Sequence, residues 1–191
     1  VSFAVSKLEN FTYGDYATWP EDERWELVEG RPFQMSPAPG RRHQRVVVEL
    51  VKQIAVFLTG ESCEVYTAPF DVRLPDGEES DEEASTVVQP DVVVVCDEKK
   101  LDERGCRGAP DFIVEVASPS TAARDQIQKA ALYEKHGVRE YWVVHPVDGI
   151  LTVRLLDSNG RYGSVTFYEG RGKRPVETLP GLEIDLDAVF Q

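Results

Sequence analysis

The tightest constraint on this chain comes from two short apolar runs, residues 87–95 and 112–116, each carrying an acid where burial is expected. Residues 87–95 are apolar except at Gln89-Pro90-Asp91, the pattern of a buried central strand entered through a proline. Phe112-Ile-Val-Glu-Val116 reads as a second such strand with Glu115 inside it. A carboxylate in a buried strand must be paired, hydrogen-bonded or bound to a cation. Alternation sets Asp111, Ile113, Glu115 and Ala117 on one face. Asp111 and Glu115 cannot share an ion, because four residues of strand separate their Cα atoms by about 13 Å. Asp91 arrives on a different strand and can lie beside Glu115. Two acids meeting in this way make an oxygen-rich site suited to Mg²⁺ or Mn²⁺ rather than zinc.

The next segment supplies a counter-charge. Residues 118–136 carry helix start signals at Ser118-Pro-Ser-Thr121 and a stop at Gly137. A helix there returns over the sheet directly after the Glu115 strand, so Lys129 can point its ammonium back at the two carboxylates. A surface pair with Asp125, four residues earlier, is the competing reading.

Around this core the pattern predicts a hairpin over 24–36 turned at Glu29-Gly30, and a helix over 41–58 ended by Gly60. The helix rests on the spacing of Val47, Leu50, Val51, Ile54 and Leu58. Strands follow over 63–74 around Pro69, then solvated loops over 75–85 and 97–109. Beyond a buried strand at 141–144 come an alternating hairpin or meander and a short strand and helical turn in LEIDLDAVF. These elements make one α/β domain over 1–191, with its core at about 41–145.

Composition narrows the function classes. The formal net charge of −13 works against tight non-specific nucleic-acid binding, which draws its affinity from Lys and Arg. Six of the acids lie in one run, residues 76–83, and carboxylates that hold cations lose their repulsion once loaded. Arg41, Arg42 and Arg45 form the densest basic group, read either as a solvated helix face or as a phosphate patch. The three cysteines, Cys63, Cys96 and Cys106, match no zinc or redox spacing and read as thiols in a reducing cytosol. No apolar run is long enough to span a bilayer, and the opening VSFAVSKLEN lacks a signal-peptide layout. A cytoplasmic protein without a membrane partner is the expectation.

Several segments carry a family resemblance. They are Gln89-Pro-Asp91-Val-Val-Val-Val95, residues 110–121 (PDFIVEVASPST), Asp125-Gln-Ile-Gln-Lys129 and residues 133–142 (YEKHGVREYW). Together with Trp25-Glu-Leu-Val-Glu-Gly30, Met35-Ser-Pro-Ala-Pro39, His43 and Leu179-Pro-Gly-Leu182, they closely resemble the Uma-two family of restriction-endonuclease-like proteins, over nearly the whole chain. The resemblance implies membership of the PD-(D/E)XK nuclease superfamily. The implied fold is a mixed central sheet flanked by helices, with additional β-hairpins at both ends. It assigns the superfamily's aspartate to Asp91 and its glutamate to Glu115, both metal ligands. The usual E-x-K lysine would fall at 117, which is alanine here; in the family the lysine has moved to the helix, at Lys129. Glu26 and His43 also match family positions and join the candidate catalytic set. Glu26 has a salt bridge to Arg24 or Arg31 as its competing role. His145 stands where the family has aspartate and reads as a strand-end structural residue.

The expected function is a Mg²⁺- or Mn²⁺-dependent endonuclease hydrolysing DNA phosphodiester bonds. A catalytically inactive nuclease-fold module that binds DNA or protein is the alternative, and a hydrolase of other phosphate esters a third. A homodimer would suit double-strand cleavage.

Overall fold

The computed structural model describes residues 10–20, 22–35, 39–118 and 124–191, without the side chains of 124–126. In chain order the elements are α1 (Tyr13–Tyr16), β1 (Trp25–Val28), β2 (Arg31–Gln34), α2 (Arg41–Phe57), β3 (Glu64–Thr67), β4 (Val72–Arg73), β5 (Val87–Val88) and β6 (Val92–Val95). Then follow β7 (Leu101–Asp102), β8 (Gly105–Arg107), β9 (Phe112–Val116), a π-helical segment Arg124–Lys129 continuous with α3 (Ala130–His136), β10 (Glu140–His145) and β11 (Ile150–Leu155). The chain closes with β12 (Thr166–Glu169), β13 (Lys173–Pro175), β14 (Glu183–Asp185) and α4 (Leu186–Val189).

The central sheet has strand order β12-β11-β10-β9-β6-β3. Its β9–β10 pair is parallel, while β6 runs antiparallel to both β9 and β3. Strands covered on both faces need no polar alternation, and all four residues of β6 are buried. Val92 and Val94 join Phe112, Val114, Val116 and Trp142 in a core layer under α2. Val93 and Val95 join Ile113, Tyr141 and Val143 in a second layer under α3. On α2 the fully buried stripe is Val46, Leu50 and Ile54, continued by Leu58, while Val47 and Val51 pack only partly. The helices that flank the sheet therefore each own one face of the same valine strand.

A second sheet, β2-β1-β5-β4-β8-β7, packs on the α3 side through Val28, Val72, Leu74, Val88 and Cys106. Its β1–β2 hairpin turns at Glu29 and Gly30, with φ of 49° and 75°. Two consecutive left-handed residues are the geometry that matches strand twist in a two-residue turn, and glycine adopts it without steric cost. At the end of α3, Gly137 adopts φ 85° as the left-handed stop.

Four expectations change. Residues 87–95 are not one strand: Pro90 lacks a ladder donor, and the chain crosses there from the second sheet (β5) to the central one (β6). Residues 97–109 are not simply a loop, since they contain a 3₁₀ turn and the short pair β7–β8. The acidic stretch 75–85 is not wholly solvated. Asp81 accepts from the fully buried Arg73 at 2.6 Å and from Arg104 at 2.6 Å, and Asp76 accepts from Lys135 at 2.8 Å. Finally, Cys63 and Cys96 are not thiols but a disulfide. The Glu64↔Val95 register extended by one residue sets them opposite each other, a proximity that sequence spacing cannot report. Cys106 is a buried thiol, its pKa pushed up to about 11 by burial. The predicted helix start at 118–121 falls mostly outside the described residues.

Candidate active site

The site forms at one edge of the central sheet, where parallel β9 and β10 end and antiparallel β6 begins. Extending the Val92↔Val114 register by one residue places Asp91 opposite Glu115. The Asp91 carboxylate reaches across that edge: Val116 N donates to its Oδ2 at 2.8 Å. Glu115 projects into the α3-facing layer with Ile113 and Ala117, as alternation requires.

Lys129 completes the cluster. It ends the π-helical segment, where the wider turn redirects side chains relative to an α-helix and frequently marks a functional site. Its Nζ donates to Glu115 Oε1 at 2.7 Å and to Glu26 Oε1 at 2.9 Å. All three side chains are no more than 5% exposed. Charges so buried are held only by close, hydrogen-bonded opposites. Glu26 thus pairs with neither Arg24 nor Arg31. It faces inward from β1 and also accepts from the backbone N–H of Gln89 at 3.0 Å. The Lys129 side chain is buried rather than on the surface, and the side chain of Asp125, its competing partner, lies outside the described residues.

Tyr133, not singled out as a site residue from the sequence, is brought to the site by the structure. Its hydroxyl donates to the same Glu115 Oε1 at 2.9 Å. Burial first, and then the charge of Glu115, push its pKa well above the ordinary tyrosine value, which keeps it a donor. Its signal was present, since it stands four residues after Lys129 and on the same helical face.

His43 approaches from the first turns of α2 and places Nε2 3.2 Å from Asp91 Oδ2. His145, buried at the end of β10, places Nε2 3.4 Å from Thr152 Oγ1 on β11. Ala117, at the E-x-K position, is buried and donates its backbone N–H to Val144 O.

A polar relay backs the site. Arg24 donates to Gln89 Oε1 at 3.0 Å, and Gln89 Nε2 donates to Asp71 Oδ1 at 2.9 Å and to the Tyr16 hydroxyl at 3.1 Å. Burial raises the pKa of Asp71, and burial together with Asp71 raises that of Tyr16. Gln89 therefore ties the loop ahead of Asp91 both to Glu26 and to this relay.

The donor set bears on a cation. Among the described residues no group of three or more His, Cys, Asp and Glu side chains is arranged to hold a metal ion. Mg²⁺ needs no such cage, since it binds through one or two carboxylates and keeps water and phosphate oxygens for the rest. Asp91 and Glu115, opposite each other in the extended register, are the two carboxylates that could serve in that way; Glu26 and Glu115 accept from Lys129, while Asp91 is met by His43 and by the Val116 N–H.

A mixed sheet between helices, with acids on adjacent strands at one edge, defines the restriction-endonuclease-like class of nuclease fold. The chain belongs to the Uma2 family, described as "Putative restriction endonuclease", whose model matches residues 13–187. It is 27% identical over 180 residues to the uncharacterized protein slr1290 of Synechocystis sp., covering 93% of this chain and 90% of that protein. The fold is similar to the crystal structure of a protein from Anabaena variabilis ATCC 29413 titled a "putative nuclease belonging to DUF820". That match has a TM-score of 0.74 and 18% identity, over 94% of this chain and 97% of that one. No helix among the described residues is long and apolar enough to cross a membrane.

Proposed function

We propose that this protein is a metal-dependent endonuclease that hydrolyses phosphodiester bonds in DNA in the cytoplasm. The observation that carries the reading is the Lys129 ammonium seated 2.7 Å from Glu115, on the strand whose register sets Glu115 opposite Asp91. It supplies an acid, acid and lysine set although the E-x-K position is alanine.

Asp91 and Glu115 would hold Mg²⁺ or Mn²⁺. Bound there, the ion supplies the Lewis-acid charge that polarises a phosphoryl oxygen and acidifies the attacking water. Lys129 holds Glu115 in place and presents positive charge where negative charge develops on the phosphoryl group. Glu26 and Tyr133 are positioning residues: Glu26 anchors the ammonium and Tyr133 anchors the carboxylate. His43 holds Asp91 from the outer side and stands where an incoming phosphate can meet it.

The test is incubation with plasmid and linear DNA in Mg²⁺, Mn²⁺ or EDTA, alongside Asp91→Ala, Glu115→Ala and Lys129→Ala. The reading expects cation-dependent nicking that all three variants lose. Nicking that survives all three substitutions overturns it. Binding without cleavage by the wild-type protein favours an inactive module, the reading that Ala117 supports.

A further inference from the structure

The first turns of α2 carry Arg41, Arg42 and Arg45, all exposed. Together with the β10–β11 turn, residues 146–149, and with Val189–Gln191, they line a cleft of about 730 Å³. None of the three makes a salt bridge or side-chain hydrogen bond among the described residues. By contrast, Arg73, Arg104, Arg107, Arg139, Arg161 and Arg171 are each paired with an acid. With 34 acids against 21 Lys and Arg in the chain, opposite charges are plentiful. Three neighbouring guanidiniums without partners among the described residues mark a surface that suits an external anion. Asp148 is the acid of the lining, so the cleft is positive on balance.

Its place in the fold gives the anion a role. Because β9 and β10 are parallel, Val116 and His145 end on the same sheet edge, and Asp91 begins β6 there. The 146–149 turn follows β10 directly, so the cleft lies further along the edge that carries the candidate active site. On the same turns of α2, His43 Nε2 meets Asp91 Oδ2 at 3.2 Å, so the three arginines sit within about a helical turn of a residue that touches the site. The orientation of the α2 helix adds to the attraction, since its N-terminal end favours negative charge.

We propose that Arg41, Arg42 and Arg45, in the cleft they share with the 146–149 turn, form the groove that grips the sugar-phosphate backbone of DNA flanking the scissile bond. The proposal rests on the nuclease reading above for its substrate. Guanidiniums suit this task because their forked donors match phosphate oxygens. The contacts are to backbone, so they position the duplex without reading its sequence.

The test is fluorescence anisotropy with a labelled 20-base-pair duplex in EDTA, across a salt series. The proteins are wild type, the triple variant Arg41→Gln/Arg42→Gln/Arg45→Gln, the matching triple lysine variant, and Arg31→Gln as an exposed control on the hairpin. The glutamine triple is expected to lose roughly tenfold or more in affinity, and its log–log salt slope to flatten by about 0.9 per lost phosphate contact. The lysine triple should keep most of the slope, and Arg31→Gln should match wild type. A glutamine triple with wild-type affinity and slope, at an unchanged unfolding midpoint, overturns the groove and leaves the nuclease reading standing. A wild-type protein that fails to bind the duplex at low salt also overturns the groove. The nuclease reading is then judged separately by plasmid nicking.

Discussion

Lys129 and Glu26 lie 103 residues apart in the chain, yet their side chains meet at 2.9 Å in the interior. The contact ties the β1 hairpin to the helical segment after β9, and it makes the candidate active site part of the fold's own support.

Lys129→Met should therefore unfold more easily, by about 3–5 kcal/mol, because it strands two buried carboxylates without their ammonium. Adding Glu26→Gln and Glu115→Gln to that variant should recover much of the loss, since amides need no counter-charge. Urea denaturation reads both effects. A lone Lys129→Met variant as stable as wild type would show that the buried pairings contribute nothing.

Tyr133→Phe removes one donor from Glu115 and keeps the ring packing. It should cost about 1–2 kcal/mol in stability and reduce nicking less than Glu115→Ala does. Equal losses in the two variants would place Tyr133 among the reacting groups.

Asp81→Asn should destabilise by about 2 kcal/mol or more, because Arg73 is fully buried and Asp81 meets it at 2.6 Å. Glu78→Gln, on an exposed acid in the same run, should stay within about 0.5 kcal/mol of wild type. If the two changes cost the same, the acidic run is a solvated loop after all.

Joining Cys63 to Cys96 closes a segment with a sequence separation of 33. Chain-entropy arithmetic gives such a cross-link about 3–4 kcal/mol. Dithiothreitol, or Cys63→Ser with Cys96→Ser, should lower the unfolding free energy by that order. A reducing cytoplasm would act in the same direction, so this stability depends on redox state.

His136 has its pKa lowered from 6.5, chiefly by burial, with Asp76 opposing the shift and Lys135 adding to it. The unfolded chain takes up this proton at a higher pH than the folded one. Stability is therefore lost as pH falls below 6.5 toward the folded-state pKa. In His136→Gln, the fall in unfolding free energy over that window should be shallower than in wild type, as urea titrations at several pH values would show.

Strands and their charges made much of this legible. Asp91 and Glu115 stood out because acids are costly in apolar runs, and Gly30, Gly60 and Gly137 punctuated the chain where turns and helix ends occur. Pairing across long separations stayed hidden. The pattern places Glu26 on a strand but does not show that it turns inward or that a lysine from a distant helix will meet it. The spacing of Cys63 and Cys96 carries no trace of the β3–β6 register that opposes them. Two-residue strands such as β7 have no period to detect, and their Asp-Glu-Arg-Gly neighbourhood resembles a loop. Pro90 was visible, but a proline at a strand entrance and a proline between two sheets look alike in one dimension.

An E-x-K lysine is aimed by strand pleating, which fixes its direction at every second residue. Lys129 is aimed instead by a π-helical segment, Arg124–Lys129, and so depends on one surplus residue in the winding. Deleting a single residue there would tighten the segment toward ordinary α geometry and rotate the rest of the helix by about 100°. Lys129 and Tyr133 would swing off Glu115 together. The candidate chemistry of this protein is thereby exposed to insertions and deletions in a stretch that other helical surfaces would tolerate.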